Sequence, residues 1–279
     1  MEIIKTIEEL RYIINLWKKE GNTIGLVPTM GFLHEGHESL IKRAVSNNNK
    51  VVVSIFVNPT QFGPNEDFAS YPRDMDRDFS ICNKDSVDLI FSPDPSEMYY
   101  EDAVSYVNVT KLTEGLCGRK RPNHFQGVCT VVTKLFNIVK PDRAYFGEKD
   151  AQQLAVIKRM ARDLSFDIEI VGCPIIREAD GLAKSSRNSY LSKEERKAAL
   201  VLSKSLFSAE HHIKKGLKDV QKIKDNIINE IEKEPLAIID YVEIVDAFNL
   251  EAAETLDKKI LIAIAVYVGK TRLIDNVSF

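Results

Sequence analysis

The chain has 279 residues, with 38 Lys and Arg against 41 Asp and Glu, and its formal net charge is -3. This balance argues against a general polyanion binder, so any nucleotide has to be recognised locally. The length provides for one large domain or two ordinary ones, and we predict two.

The spacing of the cysteines and the length of the apolar runs indicate the cellular compartment. The four cysteines lie far apart without a CxxC pair, which argues against a disulfide framework and a structural zinc site and predicts reduced, mostly buried thiols. Residues 1–20 carry charges throughout and lack the apolar core of a signal peptide. The longest apolar run, 260–268, has about half the length that a membrane span requires. We therefore expect a soluble, cytoplasmic protein.

Helix and strand patterns alternate through the first 175 residues. Apolar residues at helical spacing predict helices at 3–17, 40–45, 127–139 and 148–160. Short apolar runs predict buried strands at 23–27, 51–57, 87–93, 143–147 and 166–174. This order is typical of a parallel, doubly wound sheet, so we predict an α/β domain over residues 1–175.

The pattern changes after residue 175. Two charged amphipathic helices are predicted at 191–216 and 219–233. Three strands, close enough for an antiparallel meander, are predicted at 239–246, 258–268 and 271–279. We therefore predict a smaller α+β domain over residues 176–279.

The first candidate site is the stretch PTMGFLHEGH, residues 28–37, where a strand gives way to a helix. A helix N-terminus offers unpaired N–H groups and a partial positive charge, which suit a phosphate, and Gly31 and Gly36 would allow close approach. His34 and His37 add two donors on one side of the first turn. A capped helix with two surface histidines is the alternative. Zinc is disfavoured because the remaining histidines follow in no ligand-like spacing.

The second candidate site is the segment FVNPTQFGPNEDFASYPRD, which begins at the end of the strongest predicted strand. Open α/β sheets build their ligand crevice at the carboxyl ends of their strands. The amide of Gln61 can both donate and accept hydrogen bonds, as a polar substrate with hydroxyl groups needs. An ordinary loop after an Asn-Pro turn is the alternative.

The third candidate site, YFGEKDAQQL, repeats the design of a strand, a glycine and a helix start. Acidic residues are favoured in a first helical turn, whereas a lysine such as Lys149 is not, unless an anion offsets it. Lys149 therefore indicates a phosphate partner, and Gln153 lies one helical turn further on the same face. A solvent-facing lysine is the alternative.

The fourth candidate site, READGLAKSSRNSYLS, lies where the two predicted domains meet in the sequence. The tripeptide ADG indicates a turn. The hydroxyl groups of Ser185 and Ser186, together with Lys184 and Arg187, are direct phosphate donors. Taken alone, the segment is no more than a polar loop.

The sequence contains neither GxxxxGK[ST] nor GxGxxG after a strand, so P-loop and dinucleotide-binding proteins are disfavoured. Five motifs resemble, in order, those of the pantoate–β-alanine ligase family in the HxGH nucleotidyltransferase superfamily: PTMGFLHEGH, FVNPTQF, RPNHFQGV, FGEKDAQQL and DGLAKSSRN. The resemblance covers nearly the whole chain and is far more specific than HxGH alone. It implies a Rossmann-like domain for nucleotide and pantoate, a small C-terminal lid domain and a homodimer.

The resemblance implies a two-step ligation of pantoate and β-alanine to pantothenate. In the first step the carboxylate of pantoate attacks the α-phosphate of ATP, and pyrophosphate leaves. In the second step the amine of β-alanine displaces AMP from the pantoyl adenylate. Mg²⁺ is expected to offset the triphosphate charge, with Asp150 as a helper and without an all-protein metal cage.

The resemblance also assigns roles to individual residues. His34 and His37 match the phosphate-binding histidines, with His37 at the position of the proton donor, and Lys149 is expected to neutralise the α-phosphate. Gln61 and Gln153 match the pantoate ligands, and Gln61 also faces β-alanine. The nucleotide-binding set implied by the resemblance comprises Met30, Gly31, His34, Gly36, His37, Gly147, Glu148, Lys149, Asp150, Ile176, Lys184, Ser185, Ser186 and Arg187.

Two positions depart from the family pattern, since Thr60 and Lys184 stand where many relatives have Met. Neither change removes a group that the reaction requires. The alternative function is that of another nucleotidyltransferase acting on a small phosphorylated acceptor, which would want extra arginines for the second phosphate. An aminoacyl-tRNA synthetase is disfavoured by the near-neutral charge and the little room for an anticodon-binding domain. A catalytically dead binding module is disfavoured because Lys149 and the histidine pair are present.

Overall fold

A computed structural model describes residues 1–64 and 66–279. The strands are β1 (Glu2–Ile4), β2 (Ile24–Thr29), β3 (Lys50–Ile55), β4 (Leu89–Phe91), β5 (Arg143–Gly147), β6 (Glu169–Cys173), β7 (Ala237–Asp246), β8 (Ile260–Val268) and β9 (Thr271–Ser278). The α-helices are α1 (Ile7–Lys19), α2 (Glu35–Asn47), α3 (Met75–Lys84), α4 (Pro95–Met98), α5 (Leu116–Lys120), α6 (His124–Val139), α7 (Ala151–Asp163), α8 (Lys193–Ala198), α9 (Leu200–Lys214) and α10 (Val220–Ile231). Short 3-10 turns cover Pro59–Gln61, Glu148–Asp150 and Ser186–Tyr190.

The chain divides into two compact units. The first comprises Met1–Thr110, Arg121–Glu148 and Val156–Pro174, and the second comprises Lys111–Lys120, Lys149–Ala155 and Ile175–Phe279. The second unit thus includes two segments that precede residue 175 in the sequence, while the boundary between residues 175 and 176 stays a prediction. None of the helices in the described ranges has the length and apolar character needed to cross a membrane.

The first unit contains a six-stranded parallel sheet in the order β1-β4-β3-β2-β5-β6. The strands that follow β2 in the sequence, β3 and β4, extend the sheet on one side, whereas β5 and β6 extend it on the other. The predicted α/β fold with a doubly wound parallel sheet is therefore confirmed. Sheets of this type bind ligands outside the carboxyl ends of their strands, where the strand order reverses. In this sheet that point lies between β2 and β5.

The centre of the sheet is built from residues that are buried on both faces. Val51, Val52 and Val53 of β3 are each at most 1% exposed. Burial of each such side chain contributes about 1.5–3 kcal/mol relative to exposure, before the conformational entropy cost. Helix α2 packs on the same core through Ile41 and Ala44, which lie on one face of the helix at a spacing of three. This packing fixes the helix whose first turn carries the histidine pair.

The N-terminus differs from the predicted helix over residues 3–17. Residues 2–4 form the edge strand β1, which pairs in parallel with β4, and Ile4 is 8% exposed. Helix α1 begins only at Ile7 because Thr6 caps it, its hydroxyl oxygen accepting a hydrogen bond from the Glu9 N–H at 3.3 Å. The predicted start of this helix was wrong, and the reason is a strand whose partner lies far along the chain.

The second unit contains an antiparallel sheet in the order β7-β8-β9, which confirms the predicted meander. The central strand, β8, is covered on both faces. Ile262 and Ile264 pack in a core with residues of α9 and α10. The alternate residues Leu261 and Ala263 pack with Leu116 of α5 on the opposite face. The unit is therefore a small α+β layer structure, as the sequence predicts.

Candidate active site

Two histidines close the start of α2 with a reciprocal pair of hydrogen bonds. His34 is the N-cap, and its Nδ1 accepts from the Gly36 N–H at 3.1 Å. The Nδ1 atom of His37 accepts in turn from the main-chain N–H of His34 at 3.3 Å, and the two ring centroids are 4.1 Å apart. Because both Nδ1 atoms act as acceptors, each neutral ring carries its proton on Nε2. The pair therefore supplies two N–H donors from one helix start.

The loop before His34 is clamped by Asp78 of α3, a residue that is 1% exposed. Its two carboxylate oxygens accept from the main-chain N–H groups of Phe32 at 2.8 Å and Leu33 at 2.6 Å. Burial raises the pKa of the Asp78 carboxyl above its usual range, although these two hydrogen bonds act in the opposite direction. Gly31 has φ +80, and a Cβ there would lie 2.9 Å from Asp78 Oδ2. The clamp therefore requires a glycine at this position.

Asp78 is not among the residues predicted for the site, although the sequence carries a local signal for it. Asp78 lies one helical turn before Cys82, and these two residues are the buried ones of α3. An acidic residue on the buried face of a short helix normally has partners, because an unpaired buried charge is costly. The identity of those partners depends on a contact across 45 positions of the chain, with Leu33, which no local pattern shows.

Gln61 lies in the 3-10 turn after β3 and is brought next to the first candidate loop. Its Nε2 donates to the sulfur of Met30 at 3.4 Å, and its Oε1 accepts from Asn58 Nδ2 at 3.0 Å. Asn58 is 1% exposed, and its own Oδ1 accepts from the Tyr99 hydroxyl at 2.7 Å. The amide of Gln61 is therefore oriented by neighbours within the first unit.

The motif RPNHFQGV, one of the five that carry the family resemblance, supports the turn that carries Gln61. The main-chain carbonyl of Gln61 accepts from His124 Nδ1 at 2.8 Å, and Arg121 Nη1 lies 3.1 Å from the other ring nitrogen. Arg121 also forms a bidentate pair with Glu66. Burial of Glu66 raises the pKa of its carboxyl, but the Arg121 guanidinium outweighs this and lowers it overall.

Gly127 in the same motif permits a close approach of main-chain atoms. A Cβ at this position would lie 2.5 Å from the carbonyl oxygen of Thr60 and 2.7 Å from the main-chain nitrogen of Gln61. Such distances are far below van der Waals contact, so any side chain at residue 127 would displace the turn. Helix α6 and the Pro59–Gln61 turn therefore pack with their main chains in direct contact.

The third candidate loop begins at the end of β5. The predicted opening of the helix at residue 148 differs from the structure, since Glu148–Asp150 form a 3-10 turn and α7 begins at Ala151. A tight first turn of this kind is common at the N-terminus of an α-helix. Lys149 is half-buried, and Asp150 is exposed. Gly147 and Glu148 belong to the first unit, whereas Lys149–Ala155 belong to the second.

The fourth candidate loop forms a folded segment of the second unit. The Lys184 N–H donates to the carbonyl of Ile176 at 2.9 Å, so these two predicted residues lie together. The Ser185 hydroxyl oxygen accepts from the Arg187 N–H at 3.3 Å and caps the 3-10 turn Ser186–Tyr190. Asn188 Nδ2 donates to the Ala183 carbonyl at 3.1 Å and closes the loop. The loop is therefore held by hydrogen bonds to its own main chain, and its hydroxyl and cationic residues lie at one turn.

Metal ligation and cysteine chemistry can be assessed from the same structure. Within residues 1–64 and 66–279, no group of three or more His, Cys, Asp and Glu side chains is placed to hold a metal ion. All four cysteines are buried, as predicted: Cys82, Cys117, Cys129 and Cys173. Burial raises the pKa of the Cys82 and Cys129 thiols to about 12, so both are protonated at neutral pH.

The fold and this site define an α/β enzyme of the class that places an HxGH motif at the carboxyl end of a parallel sheet. A profile of the family described as pantoate-beta-alanine ligase matches residues 2–278. The chain belongs to this family, and the resemblance drawn from the motifs is confirmed.

Individual relatives agree with this assignment. The chain is 66% identical over 276 residues to a pantothenate synthetase of Clostridium acetobutylicum, with 99% of this chain and 98% of that protein covered. It is 63% identical over 279 residues to a pantothenate synthetase of Clostridium botulinum strain Loch Maree, with 100% and 99% covered. High identity over the full length of both proteins indicates the same domain content.

Solved structures give the same result. The crystal structure of a pantothenate synthetase from Thermus thermophilus superimposes with a TM-score of 0.95 at 44% identity and covers 99% of both chains. A pantoate-beta-alanine ligase from Francisella tularensis, complexed with beta-gamma ATP and beta-alanine, superimposes with a TM-score of 0.81 at 35% identity and covers 99% of this chain and 97% of that one. The fold of this chain is therefore that of the family.

Proposed function

We propose that this protein ligates pantoate to β-alanine with consumption of ATP, forming pantothenate, AMP and pyrophosphate through a pantoyl-adenylate intermediate. The observation that carries the proposal is the histidine cap at the start of α2, in a chain that matches the ligase family over residues 2–278. The Francisella relative named above was solved with an ATP compound and β-alanine, which agrees with two of the three substrates.

In the first half-reaction a carboxylate oxygen of pantoate attacks the α-phosphorus of ATP. The bond from this phosphorus to the oxygen that bridges to the β-phosphate breaks, and pyrophosphate leaves with the electron pair. Negative charge then grows on the phosphoryl oxygens and on the leaving group. The Nε2–H donors of His34 and His37 would stabilise it, because donors fixed before the reaction need no reorganisation. His37 is proposed as the proton donor.

Further phosphate contacts are proposed for the cationic and hydroxyl groups of the third and fourth loops. Lys149 would neutralise the α-phosphate in the transition state, and Ser185, Ser186, Arg187 and Lys184 would contact the triphosphate. The remaining residues proposed to contact the nucleotide are Met30, Gly31, Gly36, Gly147, Glu148, Asp150 and Ile176.

In the second half-reaction the amine nitrogen of β-alanine attacks the carbonyl carbon of the pantoyl adenylate. The new carbon–nitrogen bond forms as the bond to the AMP oxygen breaks, and the amine loses a proton to solvent. Gln61 and Gln153 would hold the pantoyl group, with Gln61 also facing β-alanine. The orientation of the Gln61 amide by Asn58 supports this role, because a preset amide loses little rotamer freedom on binding.

Mg²⁺ is proposed as the ion that accompanies ATP. The described residues offer no protein cage, whereas Asp150 presents an exposed carboxylate next to Lys149. This donor set fits an ion held mainly by phosphate oxygens and water, with Asp150 as the protein contribution. When bound, the ion would offset the charge of the triphosphate.

A homodimer and a cytoplasmic location are part of the proposal, and membership of the family supports both. Light scattering is expected to give a mass near twice 31.6 kDa. A monomer at micromolar concentration would contradict the dimer.

Pyrophosphate–ATP exchange, followed with labelled pyrophosphate, tests the proposed function. Exchange should require pantoate and should not require β-alanine, because adenylate formation precedes the entry of the amine. Exchange driven equally well by unrelated hydroxy acids would contradict the substrate assignment. Exchange that needs a phosphorylated acceptor instead would favour the alternative nucleotidyltransferase.

A further inference from the structure

The main chain at Lys149 is held by a buried side chain of the last strand. Asn276 of β9 is 6% exposed, and its Nδ2 donates to the Lys149 carbonyl at 2.9 Å. Both residues belong to the second unit. A buried amide needs hydrogen-bond partners, and removal of this one would leave the Lys149 carbonyl without that donor. The contact therefore ties the proposed catalytic lysine to the C-terminal sheet.

The strand is itself fixed at this point. The neighbouring residue, Asp275, is 2% exposed and forms a bidentate ion pair with Arg177, at 2.7 and 2.9 Å. Successive residues of a strand point to opposite faces of the sheet. Asp275 thus anchors β9 on one face, while Asn276 extends to Lys149 from the other. A firmly anchored donor can define where the carbonyl lies.

A second buried amide fixes the next turn. Gln152 of α7 is 6% exposed; its Oε1 accepts from the Cys117 N–H at 2.9 Å. Its Nε2 donates to the carbonyls of Leu112 and Gly115, both at 2.9 Å. Both amide hydrogens are therefore used. Lys149 lies three residues before Gln152, and Gln153 follows it directly. These two neighbours are the residues proposed to contact ATP and pantoate.

We infer that Asn276 is a positioning residue for adenylate formation, acting through the main chain of Lys149. Catalytic groups have to be held within about half an ångström of their productive geometry, and a displacement of about 1 Å can cost on the order of 10²-fold in rate. The Asn276 contact and the Gln152 contacts fix the main chain on which the Lys149 side chain begins. The inference rests on the proposed function, because it takes Lys149 as the group that meets the α-phosphate.

The anchoring is tested first without any substrate, by amide hydrogen exchange of the full-length chain. Asn276→Ala should speed exchange in peptides covering 147–155 by about 2- to 10-fold, the range expected for one net hydrogen bond. Ser205→Ala is the matched control, since Ser205 is 1% exposed and donates to the Leu202 carbonyl at 2.9 Å within α9. The control should leave the peptides at 147–155 unchanged.

The effect on catalysis is tested by a double-mutant cycle in the pantoate-dependent exchange assay. Asn276→Ala should lower kcat by about 10- to 100-fold with the KM for ATP changed less than about threefold. In a Lys149→Ala background the same change should lower kcat by less than about twofold, because the group that it positions is gone. If Asn276→Ala fails to fold, Asn276→Leu keeps roughly the same volume and removes the donor without adding a buried charge, and the same results are expected.

Three outcomes would overturn the inference. One is unchanged hydrogen exchange at 147–155 in the Asn276 variants. The second is a double mutant in which Asn276→Ala lowers kcat by the same factor in the Lys149→Ala background as in the wild type. The third is a loss of kcat in Ser205→Ala equal to that in Asn276→Ala. Failure of the proposed function is distinguishable, because the wild-type chain would then show no pantoate-dependent exchange at all.

Discussion

The main-chain N–H of His34 donates to Nδ1 of His37, and Nδ1 of His34 caps the same helix through the N–H of Gly36. The two rings thus begin the helix, and in this tautomer each ring carries an Nε2–H that can donate to an anion. In the usual capping box the third helical position is Glu or Gln, which provides only the cap. Here the imidazole rings provide the cap through Nδ1 and, in addition, an N–H donor at Nε2.

The capping role and the phosphate role can be separated by His37→Gln. Glutamine keeps an acceptor for the His34 N–H, so the melting temperature should stay close to that of the wild type. The exchange rate should fall by on the order of 10²- to 10³-fold, as expected when a preset transition-state donor is lost. Calorimetry and pyrophosphate exchange measure the two effects. An unchanged exchange rate would show that the ring serves the helix alone.

Lys149→Ala should lower kcat for adenylation by about 10²- to 10³-fold, since neutralisation of the α-phosphate matters most in the transition state. Lys158→Ala is the matched control, because Lys158 is an exposed lysine of α7, the helix that follows the Lys149 turn, and its loss should leave kcat unchanged. Steady-state exchange kinetics give kcat and KM separately. An effect confined to the KM for ATP would mean that Lys149 binds only the ground state.

Asp78→Ala should destabilise the protein, because it orphans the main-chain N–H groups of Phe32 and Leu33, each at a cost of about 1–3 kcal/mol. Urea unfolding measures the change in the free energy of unfolding. Exchange activity should fall as well, because the loop leads directly into His34. The mild Ser80→Ala change on the same helix serves as a control, since Ser80 is exposed.

The pH dependence of the same residue has a definite sign. Burial raises the pKa of Asp78 in the folded state above its unfolded value of about 3.8. The folded state therefore binds this proton more tightly than the unfolded state does. The protonated carboxyl contributes its whole stabilisation below the unfolded pKa, and this contribution to the free energy of unfolding is lost as pH rises through the folded pKa. Urea unfolding from about pH 3 upwards should show wild-type stability falling relative to Asp78→Asn across that window. A difference that grows in favour of the wild type would contradict this.

Lys184→Met should leave turnover nearly unchanged and raise the KM for ATP by no more than about fivefold, which is roughly 1 kcal/mol. The reason is that relatives with Met at this position are expected to run the same reaction, so the charge adds only a weak, screened contribution. The effect should shrink as salt is raised. A hundredfold loss of turnover would instead assign Lys184 to the transition state.

Those parts of the fold that follow from local burial were predictable. The strands β2 and β3 contain the apolar runs 24–28 and 51–53, and a strand covered on both faces shows such a run regardless of its neighbours. The edge strand β1 was missed because its pairing with β4 joins Ile3 to Ile90. Three residues at an edge carry too little pattern to compete with the helical spacing that follows.

The residues of the candidate site likewise fall into those that the sequence marks and those that it does not. The histidine pair and Lys149 stand out because a helix start is a local feature of the sequence with a known preference for anions. Asp78 and Asn276 do not stand out, since each acts through a hydrogen bond to main chain that lies distant in sequence. Main-chain acceptors and donors are the same at every residue, so no residue type marks the position that receives such a contact.

The direct main-chain contact at Gly127 has a consequence for how variants of this protein are interpreted. Gly127 has no side chain to offer a substrate, yet even one methyl group there would displace the turn that ends in Gln61. If Gln61 contacts pantoate as proposed, Gly127→Ala would resemble a loss of pantoate affinity in a kinetic assay. A map of the binding site drawn from mutant phenotypes alone would then include a residue that touches only other parts of the protein.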